Sequence, residues 1–234
     1  MFLSMDTVFD QCSVAILDSN GQVLSNHTEK GKRQQTQQIL PMIDAALAEA
    51  QLSLADIQAL IFNRGPGAFS GIRINTAVVQ ALSVAHDIPC VGVSSLQAIA
   101  QCAYQQYGLS DVYSALDARM QQVYFGHYSI QDAIQDTGYA VMQPVLDKDS
   151  DSTEQLLDYE VQTALNLPIV GNGSLLLTRQ EEQVCHEDVW PDAVVIGQLG
   201  IVQFMTSGGT DAANALPKYL RNQAWKTLKE QGKA

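Results

Sequence analysis

The chain has 234 residues, of which 46% are hydrophobic and 16% are charged, and its formal net charge is −12. This composition is typical of a folded protein with a sizeable core, and it argues against a disordered chain. The acidic excess also argues against tight nucleic-acid binding by this chain alone, because affinity for phosphate backbones comes largely from Lys and Arg.

Neither the start of the sequence nor its apolar runs predict a membrane segment. No apolar run approaches the roughly 20 residues that span a bilayer, and the first residues lack a basic segment. We therefore expect a cytoplasmic protein with no membrane contact. The cysteines show no paired spacing, so we expect reduced and mostly buried thiols at Cys12, Cys90, Cys102 and Cys185.

The first half of the chain alternates strand and helix patterns. Asn20-Gly21 lies between two apolar runs, which is a strong hairpin signal. A helix around Pro41 and a buried strand follow. In chain order we predict strands at 2–7, 12–17 and 22–25, a helix at 34–51, a strand at 59–62, a helix at 76–85, a strand at 88–93 and a helix at 95–107.

A glycine-rich stretch at 62–75 joins the strand at 59–62 to the helix after it. Its glycines permit close backbone approach, and Ser70 is placed to cap the following helix. Two interpretations remain open at this point: a tight structural turn, or an anion site on the free N–H groups of a helix start. The stretch lacks the Gly-Lys-Ser/Thr ending of a P-loop.

The order of elements begins again near Gly108. Two apolar strands, 112–117 and 122–128, repeat the opening hairpin, and an apolar helix is predicted at 193–206. This weak repeat predicts a duplicated two-lobed α/β fold of the actin-like or ribonuclease H-like type. We assign residues 1–107 to the first lobe and 108–234 to a second, reduced lobe with a C-terminal helix and a basic tail.

Two aspartates are the best candidates for metal chemistry. Asp6 and Asp117 each end the first strand of a lobe, and paired strand-end carboxylates facing one cleft would suit Mg²⁺ in phosphoryl transfer. The residues after Asp6 lack the glycine and hydroxyl side chains of a phosphate-gripping hairpin, so we do not expect nucleotide hydrolysis by this chain alone. The four histidines are dispersed and predict no metal site.

Several segments resemble, in order and spacing, the bacterial TsaB (YeaZ) family. The most specific is Arg-Gly-Pro-Gly-x-Phe-x-Gly-x-Arg at 64–73. The others are residues 6–7 with 12–15, 37–41, 91–96, 117–120 with 123–124, and 219–221. The motif residues that we retain as candidates for ligand contact are Asp6, Thr7, Arg64, Gly65, Pro66, Gly67, Ser70, Gly71, Arg73, Asp117 and Arg119.

The resemblance implies a fold of the actin, Hsp70 and sugar-kinase superfamily and a role without an active site. Such proteins are accessory subunits that pair with a TsaD-like subunit and act with a TsaE-like ATPase. Together they make threonylcarbamoyladenosine next to the anticodon of tRNAs that read codons starting with adenine. The resemblance also implies a homodimer when the chain is alone, only indirect contact with tRNA, and no cofactor bound by this chain alone. An adenine nucleotide is expected, if anywhere, at the interface with the TsaD-like subunit.

The sequence departs from the family pattern at two positions. Gln35 replaces the usual His before the first helix motif, and Phe9 replaces a small or hydroxyl residue. Both changes argue further against a nucleotide site within this subunit.

The resemblance implies that the chain pairs with its partner through helices of the first lobe. Two helices there fit this role, because their apolar faces carry small residues that allow close helix packing. The residues are Ile39, Met42, Ile43 and Ala46 on one helix and Ala77, Gln80, Ala81 and Val84 on the other. The alternative is that both faces pack inside the lobe. Two rival functions also stay open: a metal-dependent peptidase or kinase-like ATPase of the same superfold, and a self-associating binding module without a role in tRNA.

Overall fold

The computed structural model describes residues 1–31, 35–131, 139–146, 152–160 and 165–221. Of the basic tail residues, Lys218 and Arg221 are therefore described, whereas Lys226, Lys229 and Lys233 lie outside the described residues. In the described part of the chain, no helix is long and apolar enough to cross a membrane.

The first sheet has five strands in the order β3-β2-β1-β4-β5. The strands are β1 (Phe2–Asp6), β2 (Gln11–Leu17), β3 (Val23–Lys30), β4 (Ala59–Asn63) and β5 (Cys90–Val93). β1, β2 and β3 form an antiparallel meander, whereas β4 and β5 run parallel to β1. The predicted Asn-Gly hairpin is confirmed, with Gly21 at φ 75° between β2 and β3.

Among the described residues, four α-helices cover the sheets: α1 (Gln35–Glu49), α2 (Phe69–His86), α3 (Ser95–Tyr107) and α4 (Ala193–Ser207). Because α2 begins at Phe69, the second half of the predicted loop is helix, and our prediction of its start at residue 76 was wrong. The N-cap is Ala68, which makes no side-chain capping bond. Ser70 is already inside the first turn and exposed, so the expected Ser70 cap was also wrong. The N-cap of α3 is Ser94, whose hydroxyl accepts from Leu96 N and Gln97 N.

The second sheet repeats the strand order of the first. Its strands are β6 (Asp111–Arg119), β7 (Gln122–Ile130), β8 (Met142–Pro144), β9 (Gln155–Asp158), β10 (Ile169–Val170) and β11 (Cys185–His186). Read from its other edge, the order β8-β7-β6-β10-β11 corresponds strand by strand to β3-β2-β1-β4-β5 of the first sheet. The remaining strand, β9, pairs with β7. The predicted duplication is therefore confirmed at the level of topology.

The core lies in three layers of side chains. One cluster joins one face of the first sheet to α3, α4 and the second sheet through residues such as Phe2, Ile61, Leu96 and Ile196. A second cluster packs α1 and α2 on the other face of the first sheet, and a third backs the second sheet. Because α4 follows the second sheet in sequence but packs on β1, β2 and β4, the two halves share one core. The assigned boundary at 107/108 stays a prediction.

Candidate functional site

The predicted site centres on the carboxyl ends of β1 and β4, which are parallel neighbours. Asp6 Oδ1 accepts hydrogen bonds from Val8 N at 3.0 Å and from Asn63 Nδ2 at 2.9 Å. Asn63 Oδ1 accepts in turn from Gly65 N at 3.0 Å and from Ser95 Oγ at 2.7 Å. One asparagine therefore joins the end of β1, the start of α3 and the loop at 64–68 between β4 and α2, which we call the glycine loop.

A second asparagine fixes α2 to the same strand ends. Asn75 Nδ2 donates to Met5 O at 3.2 Å and to Asn63 O at 3.0 Å, and both asparagine side chains are fully buried. The sequence analysis missed Asn63, Asn75 and Ser95 as members of this site. The available signal was the position of Asn63 at the end of a strand, directly before the Arg-Gly-Pro stretch.

Asp6 is closed off from solvent, with none of its surface exposed. Burial is the main cause that raises the pKa of Asp6 to about 7, and the bonds from Val8, Asn63 and the nearby Gln11 oppose it only in part. Its Oδ2 has no hydrogen-bond partner among the described residues. The carboxyl thus holds together the interior of the lobe and does not face an open cleft.

The glycine loop packs directly on the β1–β2 turn. Thr7 Oγ1 donates to Gly71 O at 2.7 Å. A Cβ atom on Gly71 would lie far inside contact distance of Thr7 O, and one on Gly67 would overlap the Val8 side chain. Gly65 has φ 91°, a conformation that other residues rarely adopt. The first turn of α2 therefore fills the space beside Thr7 and Val8.

The second strand-end aspartate has a different environment. Asp117 Oδ1 accepts from Arg119 N at 2.8 Å and from the Tyr159 hydroxyl at 3.2 Å, and its Oδ2 pairs with Arg119 Nη1 at 2.9 Å. Like Asp6, it accepts from the backbone N–H two residues further on, so each lobe repeats the same turn. In the described residues, no group of three or more His, Cys, Asp or Glu side chains could hold a metal ion.

The three arginines of the predicted site point to different partners. Arg64 Nη2 lies 3.7 Å from Glu154 Oε1, which links the first sheet to the second half of the chain. Arg73 lies over the Phe69 ring, 3.6 Å from its centroid, and donates from Nε to the Tyr219 hydroxyl at 3.2 Å. Arg119 pairs with Asp117, as above, in an exposed turn.

A C-terminal segment, residues 218–221, closes the loop from the outside. Lys218 N donates to Arg64 O at 2.8 Å, and Arg221 Nη2 donates to Ala118 O at 3.1 Å and Arg119 O at 3.3 Å. Between this segment and the glycine loop lies a cavity of about 360 Å³, which we call the basic cavity. It is lined by Pro66, Gly67, Phe69, Ile72, Tyr124, Lys218, Tyr219, Leu220 and Arg221.

The structure divides the predicted partner-interface residues into two groups. Ile39, Met42, Ile43 and Ala46 are buried in the chain's own core, where α1 covers the first sheet. These four side chains therefore pack inside the lobe and offer no exposed surface. On α2, Gln80 is half-buried and donates to Ala215 O at 3.1 Å, whereas Ala77, Ala81 and Val84 are exposed.

Five of the exposed residues of α2 form a stripe along the helix. Phe69, Arg73, Ala77 and Ala81 follow one another at intervals of four and lie on one helix face. Val84 continues the stripe with 76% of its surface exposed, and Phe69 begins it with 50% exposed. We call Phe69, Arg73, Ala77, Ala81 and Val84 the α2 stripe.

The two matching sheets, with helices on both faces of the first, define the class of the fold as a duplicated, ribonuclease H-like α/β architecture. Comparison with known proteins agrees. The chain matches the family model described as "TsaD: tRNA N6-adenosine threonylcarbamoyltransferase" over residues 22–227. A solved structure described as YeaZ from Pseudomonas aeruginosa superimposes with a TM-score of 0.80 at 33% identity, covering 94% of this chain and 99% of that one.

Curated relatives give the same result across the full length. The chain is 33% identical to "tRNA threonylcarbamoyladenosine biosynthesis protein TsaB" of Haemophilus influenzae, covering 97% of this chain and 96% of the relative. It is 35% identical to the protein of the same name in Escherichia coli, covering 97% of each. The chain therefore belongs to the TsaB (YeaZ) family, as the segment at 64–73 and its companions predicted.

Proposed function

We propose that this chain is a non-catalytic subunit of the cytoplasmic machinery that makes threonylcarbamoyladenosine in tRNA. In this role it pairs with a TsaD-like subunit through α2 and acts together with a TsaE-like ATPase. The names of its full-length relatives support the pathway. The observation that carries the accessory role is the α2 stripe, a helix face that is apolar apart from Arg73 and that stays exposed in the described part of the chain.

The geometry at the strand ends supports a subunit without its own active site. An enzyme of the rival kind, a peptidase or ATPase, would present a carboxylate to its substrate or metal. Asp6 is instead buried and bonded to Val8 and Asn63, and the start of α2 occupies the space beside Thr7. An adenine nucleotide, if one takes part, is assigned to the interface with the TsaD-like subunit.

The acidic balance fits a division of labour. With 25 acidic and 13 basic residues, this chain is poorly suited to hold an RNA backbone. We assign the RNA contacts to the partner, so this subunit meets tRNA only indirectly. When no partner is present, a second copy of the chain is the expected cover for the α2 stripe, giving a homodimer.

The pathway is tested by depleting the gene in cells and measuring threonylcarbamoyladenosine in total tRNA by mass spectrometry. We expect the modified nucleoside to fall and to return when the wild-type gene is restored. An unchanged level would reject the proposed function. Turnover of ATP with Mg²⁺ by the purified chain alone would reject the non-catalytic part.

The interface is tested by Ala81→Glu, with Gln203→Glu as the control. Both positions are exposed on helices, and both changes add one negative charge, but Gln203 lies on α4. Burying an unpaired charge costs roughly 3 kcal/mol, so Ala81→Glu is expected to weaken binding to the purified TsaD-like subunit at least about 100-fold. The control should bind like wild type. Equal binding by both variants would place the interface elsewhere.

A further inference from the structure

Lys218 and Arg221 line the basic cavity, and Arg73 lies beside it, in contact with Phe69 and Tyr219 of its lining. Arg64 and Arg119 each pair with a carboxylate, at 3.7 and 2.9 Å. Among the described residues, no carboxylate pairs with Arg73 or Lys218. Arg221 donates to the carbonyl oxygens of Ala118 and Arg119 and likewise pairs with no described carboxylate. In a chain of net charge −12, these three cations at one cavity indicate that a negative group comes from outside.

Arg73 is held in a position suited to such a group. Its guanidinium carbon lies 3.6 Å from the centroid of the Phe69 ring, and its Nε donates to the Tyr219 hydroxyl. These contacts fix the plane of the side chain while Nη1 and Nη2 make no hydrogen bond to the described residues. A fixed guanidinium with two free nitrogens matches the two oxygens of a carboxylate.

The lining of the cavity indicates which kinds of side chain would enter it together with a carboxylate. Phe69, Tyr124 and Tyr219 contribute aromatic rings, and Ile72 and Leu220 contribute aliphatic surface. Lys218 lines the same cavity, with its backbone held by Arg64 O. The site therefore suits an acidic side chain flanked by apolar neighbours, which is the chemistry of a protein segment.

The cavity is continuous with the α2 stripe, since Phe69 lines it and Arg73 contacts two of its walls. We propose that a partner docked on α2 inserts an Asp or Glu side chain with apolar neighbours into the basic cavity, where Arg73 and Lys218 bind the carboxylate. This inference rests on the proposed function and adds to it the chemistry of the contact. The chain's own residues 222–234 are a poorer occupant, because their three lysines outnumber the single Glu230.

The first test measures binding of the purified TsaD-like subunit by calorimetry at low and moderate salt. Arg73→Gln removes the charge, and Arg119→Gln is the matched control, because Arg119 is exposed and already paired with Asp117. We expect Arg73→Gln to bind 10- to 50-fold more weakly with a smaller salt dependence, and the control to stay within twofold of wild type. The melting temperature of each variant checks that the fold is intact.

The second test identifies the carboxylate. A carbodiimide joins a lysine amine directly to a carboxylate that contacts it, so treatment of the complex should link Lys218 to an Asp or Glu of the partner. Lys218→Arg keeps the charge and should abolish that link while retaining binding. A link from Lys218 to Glu230 would show that the chain's own tail occupies the cavity, and would overturn the proposal.

The outcomes distinguish failure of the carboxylate contact from failure of the proposed function. If wild type binds the TsaD-like subunit and Arg73→Gln binds equally well, the carboxylate contact is wrong and the proposed function stands. If ADP added before the carbodiimide prevents the link from forming without releasing the partner, the cavity is a nucleotide site and the carboxylate proposal fails. If wild type does not bind the subunit at all, both proposals fail.

Discussion

Replacing Asp6 by Asn should change how the stability of this protein depends on pH. The carboxyl is fully buried, and its pKa is raised to about 7 from an ordinary value of 3.8. The folded state therefore holds a proton that the unfolded chain releases above pH 4. Stability from this group is complete below pH 3.8, falls as the pH rises, and is fully lost above pH 7.

The size of this change in the free energy of unfolding follows from the difference between the folded and unfolded pKa values of Asp6. Each pH unit of that difference is worth about 1.4 kcal/mol, so the whole window from 3.8 to about 7 amounts to about 4 kcal/mol. Because the sequence pI is near 4.5 and solubility is poor there, the useful window is pH 5.5 to 7. Over it, the free energy of unfolding of wild type should fall by about 2 kcal/mol relative to Asp6→Asn.

The comparison isolates Asp6 because every other titrating group is common to both proteins. In Asp6→Asn, the side-chain oxygen can still accept from Val8 N and Asn63 Nδ2, so the turn and the loop contact are retained. Urea unfolding followed by circular dichroism at pH 5.5, 6, 6.5, 7 and 8 gives the free energies. A difference that stays flat over this range would show that Asp6 is ionised in the fold and would refute the reasoning. A difference that grows in favour of wild type would refute its sign.

Two further predictions concern packing. Gly71→Ala should lower the free energy of unfolding in urea by about 3 kcal/mol, because its Cβ would overlap the Thr7 backbone. Gly108 is the control: it has φ 70° and open space around it, so Gly108→Ala should lower that free energy by only about 1 kcal/mol. Equal losses would contradict the close contact at Gly71. Under native conditions at pH 8, a thiol reagent should label Cys185 and spare the other three cysteines, which are buried. Burial raises the pKa of Cys12 and of Cys102 to about 12, and fast labelling of either would show that the core opens there.

The sequence predicted the order of elements well because each left a local signal. Asn20-Gly21 fixed the first hairpin, and the repeated strand pair near Gly108 predicted the duplicated sheet. The start of α2 was missed because a glycine-rich stretch suggests a loop. Gly71 lies in the first turn of α2, and glycine is needed there because only a residue without a side chain fits against Thr7.

The candidate site was less predictable, for two physical reasons. The network of Asp6, Asn63, Asn75 and Ser95 draws on four elements that are distant in sequence, and no local pattern pairs their side chains. Helical periodicity also shows that α1 has an apolar face but not what covers it. In the structure the first sheet covers Ile39 and Ile43. Of the eight residues predicted for the interface, Ala77, Ala81 and Val84 are exposed, and all three lie on α2.

If α2 binds the partner as proposed, the buried network gives the glycine loop a role in recognition that its sequence alone left open. Asn75 and Gly71 fix the first two turns of α2 to the ends of β1 and β4, so the α2 stripe is held in one orientation relative to the first sheet. A partner that docks on a rigid surface loses less binding free energy to ordering it. The polar groups that would face a ligand in an enzyme are here hydrogen-bonded to one another inside the lobe. Arg73 is the exposed arginine within the α2 stripe, and for this reason binding of the partner should be more sensitive to Arg73 than to Arg64 or Arg119.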